Sequence, residues 1–510
     1  MRVFAAIDVG SFELAMKIFE VSSRGTIREI DHIRKRIELG SDTYNTGKIS
    51  NERVNELCNT LTEFQRIIKG YKVDDVKIYG TSAIRETKNT QIILEQIKLR
   101  TGFSVEVLSN SEQRFLHYKA VASKGEKFEE LICRGAAIVD IGGGSIQVSL
   151  FDEGHLKTTQ NIRLGILRIR EILSDLEAKT TDYASLVSEL VDNHYYYFNE
   201  LHMTGTKIEN VIVVDDYISY IIQKVYGKDI ITTAELKNFI KEVRSEKPSE
   251  ISKKYGLSNE YASLLIPSAV LVRKLVKLSG ADNIWVPGVS LADGMVFDYA
   301  QSEKLIRNTH DFENDVLNCA HEIARRYKSN EARTALVERI AIKLFDATKR
   351  VHALTKRERF LLRIAAILSD CGKYMSLEDA AECSYVIIMA TEMMGISHAE
   401  REIVANVVKF NKAHFEYYGE AKKVSFMGRE AYITMSKLTA LFRLADGICR
   451  SYRAKIKDIS INLKEDELVI SALCDETMIL ESGFFERKAR LFEELFSIKP
   501  VLVHKKKSRG

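Results

Sequence analysis

Apolar and polar positions follow two alternating periods from the first residue to about residue 305. Short apolar runs of strand length, such as Val3–Asp8 and Ala136–Asp140, stand between segments whose apolar residues recur at helical spacing. In Asn51–Gly70 an apolar residue returns every three or four positions, which predicts an amphipathic helix. Strands that alternate with helices in this way are typical of α/β domains.

One unit of this pattern occurs twice. Val3–Asp8 ends in Asp-Val-Gly-Ser before a second apolar run, and Ala136–Asp140 ends in Asp-Ile-Gly-Gly-Gly-Ser before Ile146–Phe151. A repeated unit of strand, glycine turn and strand indicates an internal duplication of the core. We therefore expect two α/β domains, at residues 1–125 and 126–305.

The pattern changes at about residue 306. Helical periods such as Val337–Phe345 and Ser436–Arg450 dominate the next stretch, which predicts an all-α domain at residues 306–455. Two strand-like runs and a last amphipathic helix then predict a small α+β region at residues 456–510.

Composition excludes several classes of protein. The 75 Lys and Arg against 71 Asp and Glu give a net charge of +4, too balanced for a dedicated nucleic-acid binder. The seven cysteines contain no CxxC pair, which excludes a disulfide scaffold and fits a reducing compartment. No apolar run has the length of a membrane span, and the first residues carry no signal-peptide core. We expect a cytoplasmic protein without membrane contact.

The two glycine turns carry the candidate chemistry. A turn without bulky side chains lets backbone N–H groups approach a phosphate, and a serine hydroxyl adds a donor. An aspartate at the strand end is suited to hold Mg²⁺ or to order its waters. The alternative is that both turns are ordinary hairpins. The predicted phosphate ligands are Gly10, Ser11, Gly142, Gly143, Gly144 and Ser145, and the predicted metal ligands are Asp8 and Asp140.

The order of these motifs resembles the exopolyphosphatase/guanosine pentaphosphate phosphohydrolase (Ppx/GppA) family. The resemblance rests on Asp8–Ser11, Gly80–Asn89, Val139–Ser145 and Leu164-Gly165, and it covers nearly the whole chain. It implies two ribonuclease H-like domains of the actin-like ATPase superfamily, followed by a helical HD-like domain. It also implies that Arg85 grips phosphate, as a planar guanidinium can do with two N–H groups.

The resemblance further implies an activity. Family members release the terminal phosphate of inorganic polyphosphate or of guanosine pentaphosphate, with Mg²⁺ or a similar cation, in a cleft between the first two domains. The implied partners are therefore inorganic polyphosphate or a guanosine polyphosphate, and the implied cofactor is Mg²⁺. A homodimer is also expected from the resemblance.

This sequence departs from the family at the positions of the expected catalytic residues. The family motif S-G-x-E-E-A reads Ser109–Arg114 here, so Glu112 is kept and Gln113 stands at the position of the general base. The family motif D-I-G-G-G-S-T-E ends here in Gln147, where a carboxylate would help to hold the metal or the attacking water. An amide accepts a hydrogen bond but takes no proton, and it is a poorer ligand for a hard cation. If the register were shifted by one residue, Glu112 would be the base.

Two further segments differ. Phe12 and Glu13 replace Asn-Ser after the first turn, and Glu13 either replaces a lost carboxylate or repels phosphate. Where the family has Gly-Gly-Thr, this chain has Asp215–Tyr217, whose two acids disfavour a phosphate.

The helical half lacks the residues of an HD metal centre. The resemblance places histidines where this chain has Arg333, Ser369 and Cys383, and Asp370 alone cannot supply a metal site. We expect the HD-like domain to be structural.

Two functions stay open. One is a slow Mg²⁺-dependent phosphoanhydride hydrolase of the exopolyphosphatase type, in which Glu112 or Glu13 partly replaces the base. The other is a binding protein that holds polyphosphate or a guanosine polyphosphate and hydrolyses it poorly. The glycine turns suit both, and the pair Gln113 and Gln147 favours the second.

Overall fold

The structure is a computed structural model that divides into two compact units, Met1–Asp315 and Val316–Gly510. No helix among the described residues is long and apolar enough to cross a membrane. The described residues are 1–23, 25–177, 179–180, 182–203, 206–215, 218–243, 246–307, 310–421, 427–453 and 455–506.

The first sheet of the N-terminal unit has five strands. They are β1 (Arg2–Val9), β2 (Glu13–Val21), β3 (Ile27–Arg36), β4 (Asp75–Gly80) and β5 (Glu106–Val107). The order is β3-β2-β1-β4-β5, with β1, β2 and β3 antiparallel and with β4 parallel to both β1 and β5. Asp8 therefore ends the central strand of this sheet.

The second sheet repeats this plan. Its strands are β6 (Ala136–Ile141), β7 (Ile146–Asp152), β8 (His155–Ile162), β9 (Asn210–Val214), β10 (Ile230–Thr232) and β11 (Asn283–Trp285). The order is β10-β11-β9-β6-β7-β8, again with an antiparallel meander of three strands next to parallel strands. β6 takes the place of β1, so Asp140 and Asp8 occupy equivalent strand ends and the predicted duplication is confirmed.

Helices cover both sheets. In the N-terminal unit they are α1 (Leu39–Asn45), α2 (Asn51–Gly70), α3 (Ser82–Glu86), α4 (Thr90–Thr101), α5 (Asn110–Ala122), α6 (Glu126–Cys133), α7 (Ile166–Glu177), α8 (Tyr183–Phe198), α9 (Ile218–Tyr226), α10 (Thr233–Val243), α11 (Pro248–Tyr255), α12 (Asn259–Ser279) and α13 (Leu291–Ser302). A π-helical turn, Asn199–Met203, follows α8.

β1 is buried on both faces, which explains its continuous apolar run. Ile7 belongs to the core that α2 covers, with Leu57 and Phe64. Phe4 belongs to the opposite core, which includes Met295 from α13. Each such large apolar side chain contributes about 1.5–3 kcal/mol on burial.

The C-terminal unit is mainly helical. Its helices follow in the order α14 (Phe312–Arg326), α15 (Glu331–Ala347), α16 (Lys349–His352), α17 (Lys356–Leu368), α18 (Ala380–Ala390), α19 (His398–Lys412), α20 (Tyr418–Ala421), α21 (Arg429–Ile448) and α22 (Ile479–Phe496), with a 3₁₀ turn at Cys371–Tyr374. A small sheet of β12 (Asp458–Leu463), β13 (Glu467–Leu473) and β14 (Lys499–Lys505) pairs antiparallel, then parallel. The helical half and the α+β tail agree with expectation, whereas the relation to HD domains stays a prediction.

Candidate functional site

The two glycine turns line one cavity of about 110 Å³. Asp8 and Asp140 both face it, so the shared cleft expected from the duplication is present. The predicted residues that line the cavity are Asp8, Gly10, Ser11, Glu13, Gln113, Asp140, Gly142 and Gly143. The predicted residues outside its lining are Arg85, Glu112, Gly144, Ser145 and Gln147.

Three hydroxyl groups are hydrogen-bonded to one another beside the first turn, and one of them approaches the second turn closely. Ser11 Oγ lies 2.7 Å from Ser82 Oγ and 3.1 Å from Tyr44 Oη, and Tyr44 Oη donates to Ser82 Oγ at 3.1 Å. A Cβ at Gly144 would lie 2.6 Å from Tyr44 Oη, so only glycine allows this approach. We call Ser11, Tyr44 and Ser82 the hydroxyl cluster; it closes one side of the cleft.

Both carboxylate oxygens of Asp140 are occupied. Arg114 Nη1 donates to Oδ1, and His117 Nδ1 is hydrogen-bonded to Oδ2. Burial by itself would raise the pKa of Asp140, but Arg114 and His117 outweigh burial and hold that pKa below its usual value. Asp140 is therefore a charged, paired carboxylate.

Gln113 and Arg85 form a contact beside the cavity. Arg85 Nη1 donates to Gln113 Oε1 at 3.4 Å and to the Leu108 carbonyl oxygen at 2.6 Å, and Nη2 donates to Asn110 Oδ1. These bonds brace the segment that leads into α5. The predicted phosphate role of Arg85 stays a prediction, and its guanidinium orients the residue at the position of the base.

Glu112 has a local structural role. Its Oε2 accepts from the Ser109 amide at 2.9 Å, while Ser109 Oγ accepts from the Glu112 amide at 3.2 Å. This reciprocal pair is a capping box that starts α5. The carboxylate is thus held at the helix terminus and outside the cavity lining.

Gln147 lies opposite Asp140 in the β6–β7 register. Its side chain is buried, and its Nε2 donates to no acceptor among the described residues. The site therefore places an amide next to the one carboxylate of the second turn.

Glu13 and Phe12 tie the first turn to the second sheet's helices. Glu13 Oε1 accepts from Arg34 Nε at 2.6 Å, and Tyr261 Oη of α12 donates to Oε2. Phe12 is 3% exposed within the core of the second sheet and meets the Tyr261 ring edge-on at 5.2 Å. Both residues therefore connect the first turn to α12 and to the core of the second sheet.

Two more charged groups line the cavity. Lys17 forms ion pairs of 2.9 Å with Glu29 and with Asp293. Asp215 caps α9 by accepting from the Ile218 amide at 2.6 Å and also accepts from Ser268 Oγ. Its sequence neighbours Asp216 and Tyr217 lie outside the described residues.

The donor set does not fit Mg²⁺. This cation prefers about six oxygen ligands at near-octahedral positions. Asp8 lines the cavity, but both oxygens of Asp140 are already hydrogen-bonded, to Arg114 and to His117. The two positions where the family motifs have carboxylates hold Gln113 and Gln147. Across the described part of the chain, no group of three or more His, Cys, Asp or Glu side chains could hold a metal ion.

Comparison with known proteins identifies the family. The model of the Ppx/GppA phosphatase family matches residues 18–303, and that of Ppx/GppA phosphatase, domain III, matches residues 317–484. The chain belongs to the Ppx/GppA phosphatase family. Guanosine-5'-triphosphate,3'-diphosphate pyrophosphatase from Photobacterium profundum is 21% identical, with 92% of this chain and 91% of that protein covered. The Aeromonas hydrophila protein of the same name is 20% identical, with 95% and 93% covered.

Solved structures share the fold of this Ppx/GppA chain. An exopolyphosphatase from Cytophaga hutchinsonii matches with a TM-score of 0.50 at 16% identity, over 61% of this chain and all of the other. An exopolyphosphatase-like protein matches with a TM-score of 0.51 at 18% identity, over 59% and 99%. About three fifths of the chain therefore share the fold of these solved structures.

The helical unit of this family member also holds an arginine between carboxylates. Arg333 Nη1 donates to Asp370 Oδ2 at 3.0 Å, and Nη2 donates to Asp446 Oδ1 at 2.5 Å. Lys412 Nζ and Tyr452 Oη also donate to Asp370. Burial would raise the pKa of Asp370, but Arg333 and the lysines lower it to about 2. The buried network is a structural centre of the helical unit.

Sequence reasoning missed Arg114, His117, Tyr44 and Ser82. Arg114 had a usable signal, because it stands where the family motif S-G-x-E-E-A has alanine. His117 follows three residues later on α5 and so faces the same side of that helix. No local pattern marks Tyr44, which reaches the site only through the packing of α1.

Proposed function

We propose that this protein binds the phosphoryl end of inorganic polyphosphate or of a guanosine polyphosphate in the cavity, and that it hydrolyses this ligand poorly. The observation that carries the proposal is the occupation of both Asp140 oxygens by Arg114 and His117 beside Gln113. Relatives named as a guanosine polyphosphate pyrophosphatase and as an exopolyphosphatase support the ligand class.

The cavity suits a phosphoryl group. Its volume of about 110 Å³ is below the ~300–1,000 Å³ of pockets that enclose whole small molecules. No hydrogen bond among the described residues uses the amide N–H groups of Ser11 and Gly143, which both line the cavity. These N–H groups are suited to phosphate oxygens, and a nucleoside would extend outside the cavity.

At the family's position for the general base of hydrolysis, this chain has the amide Gln113. Water that attacks a phosphoanhydride gains from a carboxylate that takes its proton, and the Gln113 amide cannot do so. Glu112 caps α5, and Glu13 is paired with Arg34 and Tyr261. Loss of general-base help typically slows a reaction by about 10²–10⁴.

A second candidate function is slow hydrolysis with His117 as the base. The His117 ring lines the cavity, and Asp140 orients it through Nδ1. A carboxylate that fixes one ring nitrogen leaves the other nitrogen to accept a proton, as in hydrolytic triads.

Two assays on the full chain test the proposal. Binding of a long polyphosphate and of guanosine pentaphosphate is measured by calorimetry, and phosphate release is measured at high protein concentration. We expect binding with release at least 100-fold slower than that of an active exopolyphosphatase run in parallel. Absence of binding to both ligands would disprove the proposal.

His117→Asn separates the two candidates. If His117 is a base, this variant loses the residual phosphate release and keeps its ligand affinity. His155→Asn, an exposed histidine at the start of β8, is the matched control. Residual release that stays unchanged in His117→Asn would remove the second candidate.

A further inference from the structure

The guanidinium of Arg114 lies inside the second turn. The side chain is 3% exposed, and besides Asp140 it donates from Nη2 to the Ser145 carbonyl oxygen at 3.0 Å and to Ser145 Oγ at 3.2 Å. These bonds place one positive charge between the end of β6 and the start of β7. The resemblance had placed a divalent cation beside the same aspartate.

Glycine at position 142 makes room for this charge. A Cβ there would lie 3.2 Å from Arg114 Nη2, which is closer than most Cβ contacts, and at an ordinary contact distance of 3.6 Å from Nη1. The turn that was interpreted as a cradle for phosphate therefore also accommodates a guanidinium from α5.

Three departures from the family motifs, at positions 113, 114 and 147, all change the charge of the site. Gln113 and Gln147 remove two carboxylates, which is the negative charge that one divalent cation balances. Asp8 and Asp140 remain in the cavity lining, and Asp140 is paired with the single charge of Arg114. The same set of substitutions thus removes two of the expected carboxylates and supplies a cation bound to the chain.

Arg114 also has a donor to spare. Its Nε lies buried without an acceptor among the described residues, and the side chain lines the cavity. A buried N–H of a charged group is strongly favoured to donate to an anionic oxygen. Because the side chain lines the cavity, the positive charge of this guanidinium also attracts a phosphoryl group bound there.

We propose that Arg114 is a built-in cation that takes the place of the divalent metal, so that the cleft binds a phosphoryl group without any divalent cation. The proposal rests on the proposed function only for the class of ligand. The position of Arg114 and its effect on metal binding are independent of that class.

The first test uses Mn²⁺ alone as the probe, followed by its electron paramagnetic resonance in the full chain. We expect no stoichiometric Mn²⁺ binding by the parent or by Gln113→Glu/Gln147→Glu, in which Arg114 still holds Asp140. The triple variant Gln113→Glu/Arg114→Ala/Gln147→Glu should bind about one equivalent. One equivalent bound by the parent and lost in Asp140→Asn would overturn the proposal.

The second test measures tripolyphosphate binding by calorimetry in buffer with Mg²⁺ and in buffer with EDTA. The parent should bind with the same dissociation constant, within about twofold, in both buffers. Arg114→Ala should weaken binding in EDTA at least tenfold, whereas Arg134→Ala, on the exposed end of α6, should leave it unchanged. Parent binding that falls tenfold or more in EDTA would overturn the proposal.

A second variant and a negative binding result also test the proposal. Because Arg114→Ala leaves Asp140 buried without its arginine partner, Arg114→Met/Asp140→Asn serves as a second variant that removes both charges. Its affinity in EDTA should also fall at least tenfold. If the parent binds no tripolyphosphate in either buffer, the proposed function and the binding part of this proposal fail together. The Mn²⁺ experiment then decides the role of Arg114 by itself.

Discussion

At the scale of single residues, the site is dominated by one buried ion pair. Arg114 and Asp140 are 3% and 7% exposed, and each is the nearest opposite charge of the other. Removal of one partner from a buried pair costs more than the pair contributes, because the remaining charge loses both water and its partner. The charge of Asp140 therefore makes Arg114 a stability residue as well as a site residue.

Arg114→Ala should lower the free energy of unfolding by about 3–5 kcal/mol. Arg114→Met/Asp140→Asn should recover most of this loss, since no unpaired charge is left. Urea unfolding followed by fluorescence reports the N-terminal unit, because the chain has one tryptophan, Trp285, which is 2% exposed in β11. Arg134→Ala is the exposed control, and an Arg114→Ala protein as stable as this control would contradict the prediction.

His310 makes stability depend on pH. Its Nδ1 contacts Glu129 at 2.6 Å and its Nε2 contacts Asp315 at 2.6 Å and Tyr118 Oη at 2.7 Å. Burial would lower the pKa of His310, but Asp315 and Glu129 outweigh it and raise that pKa above its usual value. The stabilisation is complete below the pKa of the unfolded chain, about 6.5, and is lost as pH rises through the raised folded value.

The loss of unfolding free energy in His310→Gln should therefore be larger at pH 5.5 than at pH 9. The Trp285 fluorescence assay at the two pH values measures this difference. His155→Gln is the exposed control. An equal loss at both values would show that the ring stabilises the unit without its charge.

At the scale of elements, α5 organises the cleft. Its capping box fixes the first turn, and Gln113, Arg114 and His117 then project from consecutive turns toward the cavity. The spacing of three residues between Arg114 and His117 brings both to one carboxylate. The start of this helix therefore positions most of the site.

Glu112→Gln should keep the capping box, since glutamine also serves at this position. We expect unfolding free energy within about 0.5 kcal/mol of the parent and unchanged residual phosphate release. Glu112→Ala should cost about 1 kcal/mol, because the Ser109 amide loses its acceptor. A tenfold drop in release in Glu112→Gln would instead identify Glu112 as the base.

The strands that sequence reasoning did not predict are edge strands. β3, β8, β10 and β14 each end their sheet in the strand order, so each pairs on one side only. β3 and β8 carry many polar residues, and β10 has only three residues, so no long apolar run marks them. β14 has a short apolar run but contains Pro500. Their existence depends on a neighbouring strand that offers an open edge.

At the scale of the whole N-terminal unit, the first turn connects the first sheet to the core of the second sheet. Phe12 leaves the end of the first turn and is buried in the core of the second sheet. The cavity depends on this packing, because it brings Asp8 and Asp140 to one space.

Phe12→Ala should cost about 3–5 kcal/mol of unfolding free energy and weaken tripolyphosphate binding at least tenfold. Phe64→Ala is matched in size and burial but belongs to the core of the first sheet alone. It should cost similar stability with no change in affinity for the folded protein. Equal affinities of the two variants would show that this connection does not shape the cleft.

Turnover should depend on three positions together. Gln113→Glu/Gln147→Glu restores two carboxylates, but Arg114 would still occupy Asp140, so we expect little gain in phosphate release. Gln113→Glu/Arg114→Ala/Gln147→Glu should raise release by about 10²–10⁴ when Mg²⁺ is supplied. Phosphate release from polyphosphate measures both, and a double variant as fast as the triple would contradict a blocking role of Arg114.

The sequence by itself determined the duplicated strand–turn–strand unit, the change to helical periods, and the amides at positions 113 and 147. These are local features, because strand and helix periods and motif spacing depend on neighbouring residues along the chain. The family could be inferred from the same residues. The comparison with its motifs placed a glutamine at the position of the usual base.

Only the tertiary structure decided which charges meet. Arg114 and Asp140 are 26 residues apart, and Glu13 and Tyr261 are 248 apart, so their pairing depends on how helices pack on sheets. The carboxylate of Glu112, a candidate base, caps α5, which the motif alone did not show. The role of an ionisable side chain is set by its partner and its burial, and both are consequences of folding in three dimensions.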